Sequence, residues 1–382
     1  MRGQKVLVSL LLSIFIILGG CSSPEQEIET DTSESDDIAG QEEQEESIQE
    51  ITLSAVGDIL IHDRVYDDAK VADGYDFYPM LERVERYLAD STVTFANQET
   101  MIGGEEFGLS SYPAFNSPVE VGEVLKEVGV DIVSTANNHT LDRGEDVIQS
   151  ALQHWDELEM MYVGSYKDQT DKDTRRIIET EEGISLGFLA YTYGTNGIPI
   201  PEGKDFLVNL IDKERITSEI EEIKEEVDVV IVSMHFGDED VQMPNDEQED
   251  LVRHIADEGA DIILGHHPHV LQPTEWIEGE DGNETFVIYS LGNFFSGQRE
   301  LYQKIGGILT LTITKTEDES GSMIDVHSPQ FMLTYNADQN EVNYIVLPWS
   351  EVNEADLPDK AVIYDEMHEH MTQWMPELEF IE

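Results

Sequence analysis

The chain has 382 residues, of which 82 are Asp or Glu and only 21 are Lys or Arg, so its formal charge is −61. This charge excludes a basic nucleic-acid binder, because such proteins hold DNA or RNA mainly through cationic contacts to phosphates. The single Cys leaves no internal disulfide and no cysteine-rich metal site. Any metal site must therefore use imidazole, carboxylate and amide ligands.

The first twenty residues have the pattern of a secretory signal. A basic start precedes an apolar run over residues 6–18, which is short for a membrane-spanning helix. Residues 18–21, Leu-Gly-Gly-Cys, resemble a bacterial lipobox. We predict that residues 1–20 are a lipoprotein signal peptide and that a lipid on Cys21 anchors the protein to the membrane outside the cytoplasm. The alternative is an ordinary signal peptide followed by a free thiol.

Residues 21–50 are predicted to form a disordered acidic tether. Positions 25–50 hold twelve acidic residues, no basic residues and almost no large apolar side chains. They cannot bury enough surface to offset the entropy lost on ordering. A spacer between membrane and folded domain is the simplest interpretation, and an acidic partner-binding tail is the alternative.

The acidity also belongs to the rest of the chain, because residues 51–382 alone carry a formal charge of −51. Repulsion within such a surface destabilises the compact state unless salt screens it. We therefore expect the stability of the folded protein to increase with salt concentration.

From residue 51 to about 300, short β-branched apolar runs alternate with amphipathic helical stretches. This pattern is typical of an α/β fold with largely parallel strands. Helices are predicted near residues 117–128 and 144–160. After residue 305, Thr/Ile alternation and turn residues predict an antiparallel β-rich addition with a short helix near 359–375. We expect residues 301–382 to pack on the 51–300 domain, because about 80 acid-rich residues form only a small core alone.

The predicted strands end, one after another, in residue types that bind metals or transfer protons. The carboxyl ends of parallel strands lie on one edge of a sheet, so these ends should converge on one site. Taken singly, each residue could equally serve as a turn or helix cap. His267 and His269 form the most specific pair, because alternate residues of an extended segment face the same side. The residues at the six strand ends are Asp58, Asn97, Glu99, Asn137, Asn138, His139, His235, Asp238, Glu239, His266, His267, His269 and Asn293.

Six segments at these strand ends resemble the CapA family of capsule or poly-γ-glutamate synthesis proteins, a branch of the calcineurin-like metallophosphoesterase superfamily. They follow the family's order over about two thirds of the chain. The resemblance implies a four-layer α-β-β-α sandwich with two sheets face to face, helices outside and metal at the strand ends. The segments are GDILIHDRV (57–65), FANQET (95–100), TANNHTLDRG (135–144), HFGDE (235–239), GHHPHVLQP (265–273) and YSLGNF (289–294).

The resemblance also implies the roles of individual residues. His139 matches the histidine that protonates the leaving oxygen, and one or two divalent ions, Mn, Fe or Zn, suit a ligand set without thiolate. The implied metal ligands are Asp58, Glu99, Asn138, His235, His267 and His269.

Two positions depart from the phosphoesterase pattern. Leu60 stands where that superfamily usually has a His, and Asn97 and Glu99 replace the usual bridging Asp. Glu99 could supply the anionic bridge, whereas His62 is not expected to be a ligand, because its spacing does not match the strand end.

Two arginines lie within the matching loops. Arg64 and Arg143 are the candidates for binding an anionic substrate, which an acidic protein would otherwise repel. The alternative is ordinary ion pairing at the surface.

The predicted function is that of a membrane-anchored, extracytoplasmic, metal-dependent hydrolase or transferase in the synthesis, export or attachment of poly-γ-glutamate. Its partners would be the membrane, the polymer and a membrane synthase complex. The alternative is a non-catalytic accessory subunit of that complex, which the altered first two motifs favour. A surface nucleotidase unrelated to capsule is a third, weaker interpretation.

Overall fold

The structure, a computed structural model, describes residues 47–280, 282–319 and 321–382. The predicted signal peptide, Cys21 and the predicted tether up to residue 46 lie outside these residues. Within the described ranges, no helix combines the length and the apolar character needed to cross a membrane.

The secondary structure alternates strands and helices up to residue 266 and then consists mainly of strands. The helices are α1 (Asp63–Asp68), α2 (Tyr78–Leu81), α3 (Glu85–Ala89), α4 (Glu120–Glu127), α5 (Glu145–Glu157), α6 (Gln169–Lys172), α7 (Lys213–Ile223), α8 (Asp246–Asp257) and α9 (Lys360–Thr372). The strands are β1 (Ser47–Leu60), β2 (Lys70–Val71), β3 (Gly74–Tyr75), β4 (Val93–Gln98), β5 (Ile132–Ser134), β6 (Met161–Val163), β7 (Ile177–Glu179), β8 (Ser185–Thr192), β9 (Val229–His235), β10 (Ile262–His266), β11 (Leu271–Glu278), β12 (Glu284–Leu291), β13 (Asn293–Ser296), β14 (Ile305–Asp318), β15 (Gly321–Ala337), β16 (Ile345–Pro348) and β17 (Glu379–Phe380).

Two large sheets contain most of the strands. The first sheet has the order β16-β15-β14-β1-β4-β5-β6, with β13 added beside β1 and β17 beside β15. In it, β1, β4, β5 and β6 run parallel, and β14 pairs with β1 in the opposite direction. The second sheet has the order β11-β12-β10-β9-β8-β7, with parallel inner strands and an antiparallel strand at each edge.

Three apolar cores separate four layers. The core between the sheets contains side chains of both, and the rings of Phe95 in β4 and Phe188 in β8 stack there with centroids 6.2 Å apart. A second core joins the first sheet to α4 and α5 through residues such as Trp155. A third joins the second sheet to α7 and α8 through residues such as Ile220 and Ile255. The α-β-β-α sandwich implied by the family resemblance is confirmed.

Residue alternation along the strands produces this layering. In β9, Val229 and Ile231 face the core between the sheets, whereas Val230 and Val232 face the helices. Both faces of the strand are therefore apolar, as in parallel sheets covered on two sides. The predicted helices are also present, as α4, α5 and α9.

The predicted boundary between tether and folded domain at residue 50 is wrong. β1 already begins at Ser47, and Ser47–Glu50 pair with Thr314–Glu317 of β14. The composition of this segment is polar, but the long β14 supplies partners for its backbone groups. Pairing with a distant strand thus orders residues that local sequence assigns to the tether.

The segment after residue 300 shares the sheet and core of the preceding one. β14 and β15 extend the first sheet beyond β1, and α9 contributes Ile363, Met367 and Met371 to the core between the sheets. The hydroxyl of Thr274 in β11 donates to the carbonyl oxygen of Met371 at 3.3 Å, which joins α9 to the second sheet. These strands place β1, and with it Asp58, in the interior of the sheet.

Candidate metal centre

Polar side chains from both sheets meet where the strands end. In the first sheet, Asp58 is paired in register with Asn97 of β4 on one side and with Asn293 of β13 on the other. In the second sheet, His235 ends β9 beside His266 of β10. The convergence arises because these parallel strands finish at the same edge of each sheet.

Two glycines allow the strands to approach closely at this edge. A Cβ atom on Gly57 would lie 1.9 Å from the carbonyl oxygen of Gly292, and one on Gly265 would lie 1.9 Å from that of Tyr289. The backbone N–H of Asp58 donates to the same Gly292 oxygen at 2.9 Å. The position of Asp58 therefore depends on the absence of a side chain at Gly57.

Asp58 is fully buried and links the two sheets. Its Oδ1 accepts from Asn97 Nδ2 at 2.8 Å, and its Oδ2 accepts from His269 Nδ1 at 3.0 Å. Burial alone would raise the pKa of Asp58, but the hydrogen bond and positive charge of His269 outweigh it and hold that pKa below its usual value. Asp58 is thus held as a carboxylate.

Glu99 is fully buried just beyond β4 and faces three imidazoles. Its Oε1 lies 3.7 Å from His235 Nε2, 3.7 Å from His269 Nε2 and 4.0 Å from His139 Nε2. Burial raises the pKa of Glu99 well above its usual value. The positive charge of His269 lowers that pKa but does not outweigh burial, so a further positive charge would favour ionised Glu99.

His267 and His269 complete a compact set of ligand types with Glu99. One potential ligand atom from each of the three residues lies within 4.8 Å of the others, and all three side chains are buried. Both histidines have a left-handed backbone, with φ of 98° at His267 and 60° at His269. Such strain in residues other than glycine is concentrated at functional sites.

His235 is held in its neutral form. Burial is the main cause that lowers its pKa well below the usual value. With the proton on Nε2, its ring donates to Asn138 Oδ1 at 2.9 Å, and its Nδ1 accepts from Asn97 at 3.3 Å. Its ring lies 4.8 Å from that of His267. Neutral imidazole is the form that binds a metal ion.

The polar atoms left without hydrogen bonds indicate that a cation fits this site. Buried polar atoms normally have a partner, because an unmade hydrogen bond costs about 1–3 kcal/mol. A divalent cation would satisfy several such acceptors at once, and carboxylate, amide and imidazole suit Mn, Fe or Zn. Among the described residues, the buried atoms at this site without a partner are Asn97 Oδ1, Glu99 Oε1 and Oε2, His267 Nδ1, Asn293 Oδ1 and both ring nitrogens of His266.

His139 is oriented by a carboxylate that the sequence analysis missed. Its Nδ1 donates to Asp142 Oδ2 at 2.7 Å, and the same oxygen accepts from the backbone N–H of Phe115 at 2.8 Å. The ring of Phe115 packs edge-on against His139 with centroids 4.7 Å apart. The only sequence signal for Asp142 is its position three residues after His139, within one turn.

The loop after β8 also reaches the site without a sequence signal. The Tyr193 ring lies 4.6 Å from the ring of His267, and Asn138 Nδ2 donates to Asn196 Oδ1 at 3.4 Å. No metal-ligand residue type follows β8 directly, so this strand end was not among the six. Its contribution depends on how the second sheet packs against the first.

The two departures from the phosphoesterase pattern have different surroundings. Leu60 is buried in the position where a His was expected, and it brings no ligand atom. His62 donates from Nδ1 to the carbonyl oxygen of Leu60 at 3.1 Å and packs against Phe115, at 5.3 Å between ring centroids. Burial is the main cause that lowers its pKa to about 4. His62 is thus held beside the cluster by contacts of its own.

The two candidate substrate-binding arginines are both engaged with the backbone. Arg143 donates to the carbonyl oxygens of Phe107 at 2.8 Å and Gly108 at 3.1 Å, so its guanidinium supports that loop. Arg64 donates from Nε to the carbonyl oxygen of Gly297 and lies beside the His62 segment. Neither arrangement leaves the whole guanidinium fork available to an anion, and Arg64 is the nearer of the two to His62.

Known proteins match the part of the chain that contains these strand ends. The profile of the family described as "Bacterial capsule synthesis protein PGA_cap" matches residues 52–298. The PGA biosynthesis protein CapA of Bacillus subtilis (strain 168) is 29% identical over 255 residues, which are 65% of this chain and 64% of that protein. The capsule biosynthesis protein CapA of Bacillus anthracis is 27% identical over 266 residues, which are 65% of this chain and 61% of that protein.

The match thus spans slightly less than two thirds of the length of these curated relatives. Among solved structures, the calcineurin-like phosphoesterase YfkN from Bacillus subtilis superposes with a TM-score of 0.38 and 16% identity, covering 74% of this chain and 91% of that one. The family profile covers well over half of the chain and includes all the strand ends that form the site. It does not extend to the residues after 300. The chain therefore belongs to the family of bacterial capsule synthesis proteins, PGA_cap.

Proposed function

We propose that this protein is a metal-dependent hydrolase or transferase that acts in the synthesis, export or attachment of a poly-γ-glutamate capsule. The observation that carries the proposal is the buried set of Glu99, His267 and His269, whose ligand atoms lie within 4.8 Å of one another. Family membership supports the capsule role, since two relatives are named for PGA or capsule biosynthesis. Anchoring through a lipid on Cys21, outside the cytoplasm, is proposed from the sequence pattern, and Cys21→Ser should then move the protein from the membrane fraction to the soluble fraction.

The residues that would hold the cation come from both sheets. Bound there, a divalent cation supplies an activated water molecule at neutral pH and screens charge that develops on the substrate oxygen. Asn97 adds an amide oxygen that has no other partner among the described residues. The proposed ligands are Asp58, Glu99, Asn138, His235, His267 and His269.

His139 is proposed as the general acid. Asp142 fixes its Nδ1, so its Nε2 is directed toward Glu99, 4.0 Å away, at the mouth of the cluster. With Nδ1 bonded to Asp142, Nε2 is the ring atom that can donate a proton to a leaving oxygen or nitrogen. Asp142 itself would act only by orienting His139.

A non-catalytic accessory subunit of a capsule synthase complex is the second candidate. It is favoured by Leu60, which removes one ligand of the phosphoesterase pattern, and by Asn97, which replaces a charged bridge with a neutral amide. In this role the metal centre would stabilise the fold or a binding surface. Turnover separates the two candidates, because only the enzyme requires it.

The purified wild-type protein and two variants separate these roles. The wild-type protein should contain a transition metal in stoichiometric amount, by elemental analysis, and should hydrolyse an aryl phosphate or shorten γ-linked polyglutamate. His267→Ala should lose both properties. Asp142→Asn should keep the metal and lose about 10–100-fold in turnover, the usual effect of removing a partner that orients an active-site histidine.

The matched control is His154→Ala, because His154 lies on α5 away from the cluster and pairs with Glu157 at 3.5 Å. It should retain both metal and turnover. Metal without turnover on either substrate would reject the enzyme and leave the accessory role. A wild-type protein that binds no divalent metal would also reject the enzyme.

A further inference from the structure

A cavity of about 510 Å³ lies beside the candidate metal centre, between the beginnings of α7 and α8. Tyr193 and Phe236 form the wall that faces the centre. The Tyr193 ring contacts His267, with centroids 4.6 Å apart, and Phe236 directly follows His235. Only the Tyr193 side chain would therefore separate a molecule in this cavity from His267.

The lining has an apolar part and a charged part. Ile211, Phe236 and Leu251 contribute apolar surface. The charged residues are Lys213, Asp238 and Glu247, all exposed to solvent. This combination is typical of sites that bind small molecules, where apolar walls surround a few oriented polar groups.

Lys213 is the one cationic residue among those that line the cavity. In the part of the chain that the structure describes, its ammonium group forms no ion pair or hydrogen bond, although the chain has about four acidic residues for every basic one. It is also the first residue of α7, where a positive charge opposes the helix dipole. Its ammonium group is therefore available to an anionic group of a ligand.

The cavity is lined by one positive group, Lys213, and two negative groups, Asp238 and Glu247. Asp238 accepts from the side-chain amide of Asn245 at 2.9 Å, so its position is fixed. Asn245 caps α8 and is held in turn by Gln248. A phosphate would meet Lys213 but would be repelled by Asp238 and Glu247. A group that carries one carboxylate and one ammonium matches all three.

We propose that this cavity binds an α-amino-acid group whose carboxylate and ammonium are both free, on an aliphatic stem. The carboxylate pairs with Lys213, the ammonium group lies between Asp238 and Glu247, and the stem packs on Phe236 and Leu251. As a substrate subsite this inference rests on the proposed function, because the reacting bond would extend past Tyr193 to the metal centre.

Binding of free glutamate to the purified protein tests the inference, with backbone amide chemical shifts as the readout. Glutamate should shift the signals of residues 211–213 and 236–251 in a saturable manner. Glutarate, which lacks the amine, should bind at least several-fold more weakly, and inorganic phosphate should leave these signals unchanged. Lys213→Met should weaken glutamate binding at least 10-fold, and Lys213→Arg should restore most of it.

The matched control is Lys224→Met at the other end of α7, where the ammonium group donates to the carbonyl oxygen of Glu258 at 3.2 Å. It should bind glutamate as the wild-type protein does. Unchanged binding in Lys213→Met, shifts confined to other residues, or equal binding of phosphate would each overturn the inference. The readout is binding, so an inactive protein that binds glutamate here rejects only the hydrolase proposal, and an active protein without these shifts rejects only the subsite.

Discussion

Glu99 is the residue whose surroundings most constrain the chemistry of the site. A buried carboxylate without a hydrogen bond is costly, because the charged form loses its solvation. Its neighbours are three imidazoles, and burial keeps at least that of His235 neutral. A bound cation would compensate the buried charge of Glu99, whose two oxygens have no hydrogen-bond partner among the described residues. The same argument explains why Asn97, which keeps a free amide oxygen, can stand in place of a bridging Asp.

Asp261 gives a residue-level prediction on pH. It precedes β10, and its Oδ2 accepts the backbone N–H of Val230 in β9 at 2.7 Å. Burial raises its pKa to about 6, above the value of about 3.9 expected in the unfolded chain. The folded state therefore holds this proton more tightly, and stability is lost as the pH rises from about 4 to about 6.

We expect Asp261→Asn to increase the free energy of unfolding above pH 7 and to have little effect near pH 4. The amide oxygen can still accept from Val230, and partial exposure of the side chain limits the gain to about 1–2 kcal/mol. Urea unfolding at both pH values measures it. Asp228→Asn is the control, because the pKa of Asp228 is lowered by Lys315 and Ser185 despite its burial, so that variant should be less stable at pH 7. An equal gain for Asp261→Asn at both pH values would contradict the assignment.

At the scale of elements, the site depends on the close passage of β1 past the connection between β12 and β13. Gly57 and Gly292 make this contact, and β13 then pairs with β1 beyond it. A glycine in a strand that is otherwise apolar marks a close backbone approach. Gly57-Asp58 and Gly292-Asn293, which are far apart in the sequence, thus form one backbone contact.

Gly57→Ala should therefore destabilise the protein by about 3 kcal/mol or more, at the upper end of overpacking effects, because its methyl group would overlap the Gly292 carbonyl. We also expect weaker metal binding, since Asp58 must move with the strand. Thermal unfolding and metal titration measure the two effects. Gly194→Ala is the control, because within the described chain a Cβ there has no neighbouring atom within 4 Å and its φ is not positive. Equal stability of the two variants would reject the contact.

At the scale of the whole molecule, the dominant feature is the net negative charge of the folded part. Residues 51–382 carry a formal charge of −51, and nine of their 19 basic residues form ion pairs within the described chain, such as Lys315 with Asp228 at 2.8 Å. Long-range repulsion among the remaining acids opposes folding. A bound dication and a cationic group such as Lys213 then matter more for anion binding than they would in a neutral protein.

Salt should consequently stabilise the protein. Between about 10 mM and 0.5 M NaCl the screening length falls from about 30 Å to a few ångströms. We expect the midpoint of thermal unfolding to rise by several degrees in this range and then to level off. The midpoint levels off because charge screening saturates. Sulfate, which strengthens apolar burial, would instead continue to raise the midpoint as its concentration increases. A midpoint that does not rise with NaCl would reject the interpretation.

Local patterns in the sequence were sufficient to predict the helices and to identify the residue types at the strand ends. The apolar spacing of Val147, Ile148, Ala151, Leu152 and Trp155 predicts α5, and all five side chains are buried. Periodicity identifies such elements because it depends only on residues a few positions apart. Asp58, Glu99, His235, His267 and His269 were likewise identifiable from their positions after apolar runs and from the family resemblance.

Only the tertiary structure decided which of these groups touch and what surrounds them. The contact of His269 with Asp58 joins residues 211 positions apart on different sheets. The ordering of Ser47 by β14, the support of the Phe107 loop by Arg143, and the placement of Tyr193 over His267 likewise depend on distant partners. The physical reason is that hydrogen bonding along one element is set by nearby sequence, whereas the distance between two sheets is set by how their facing side chains pack.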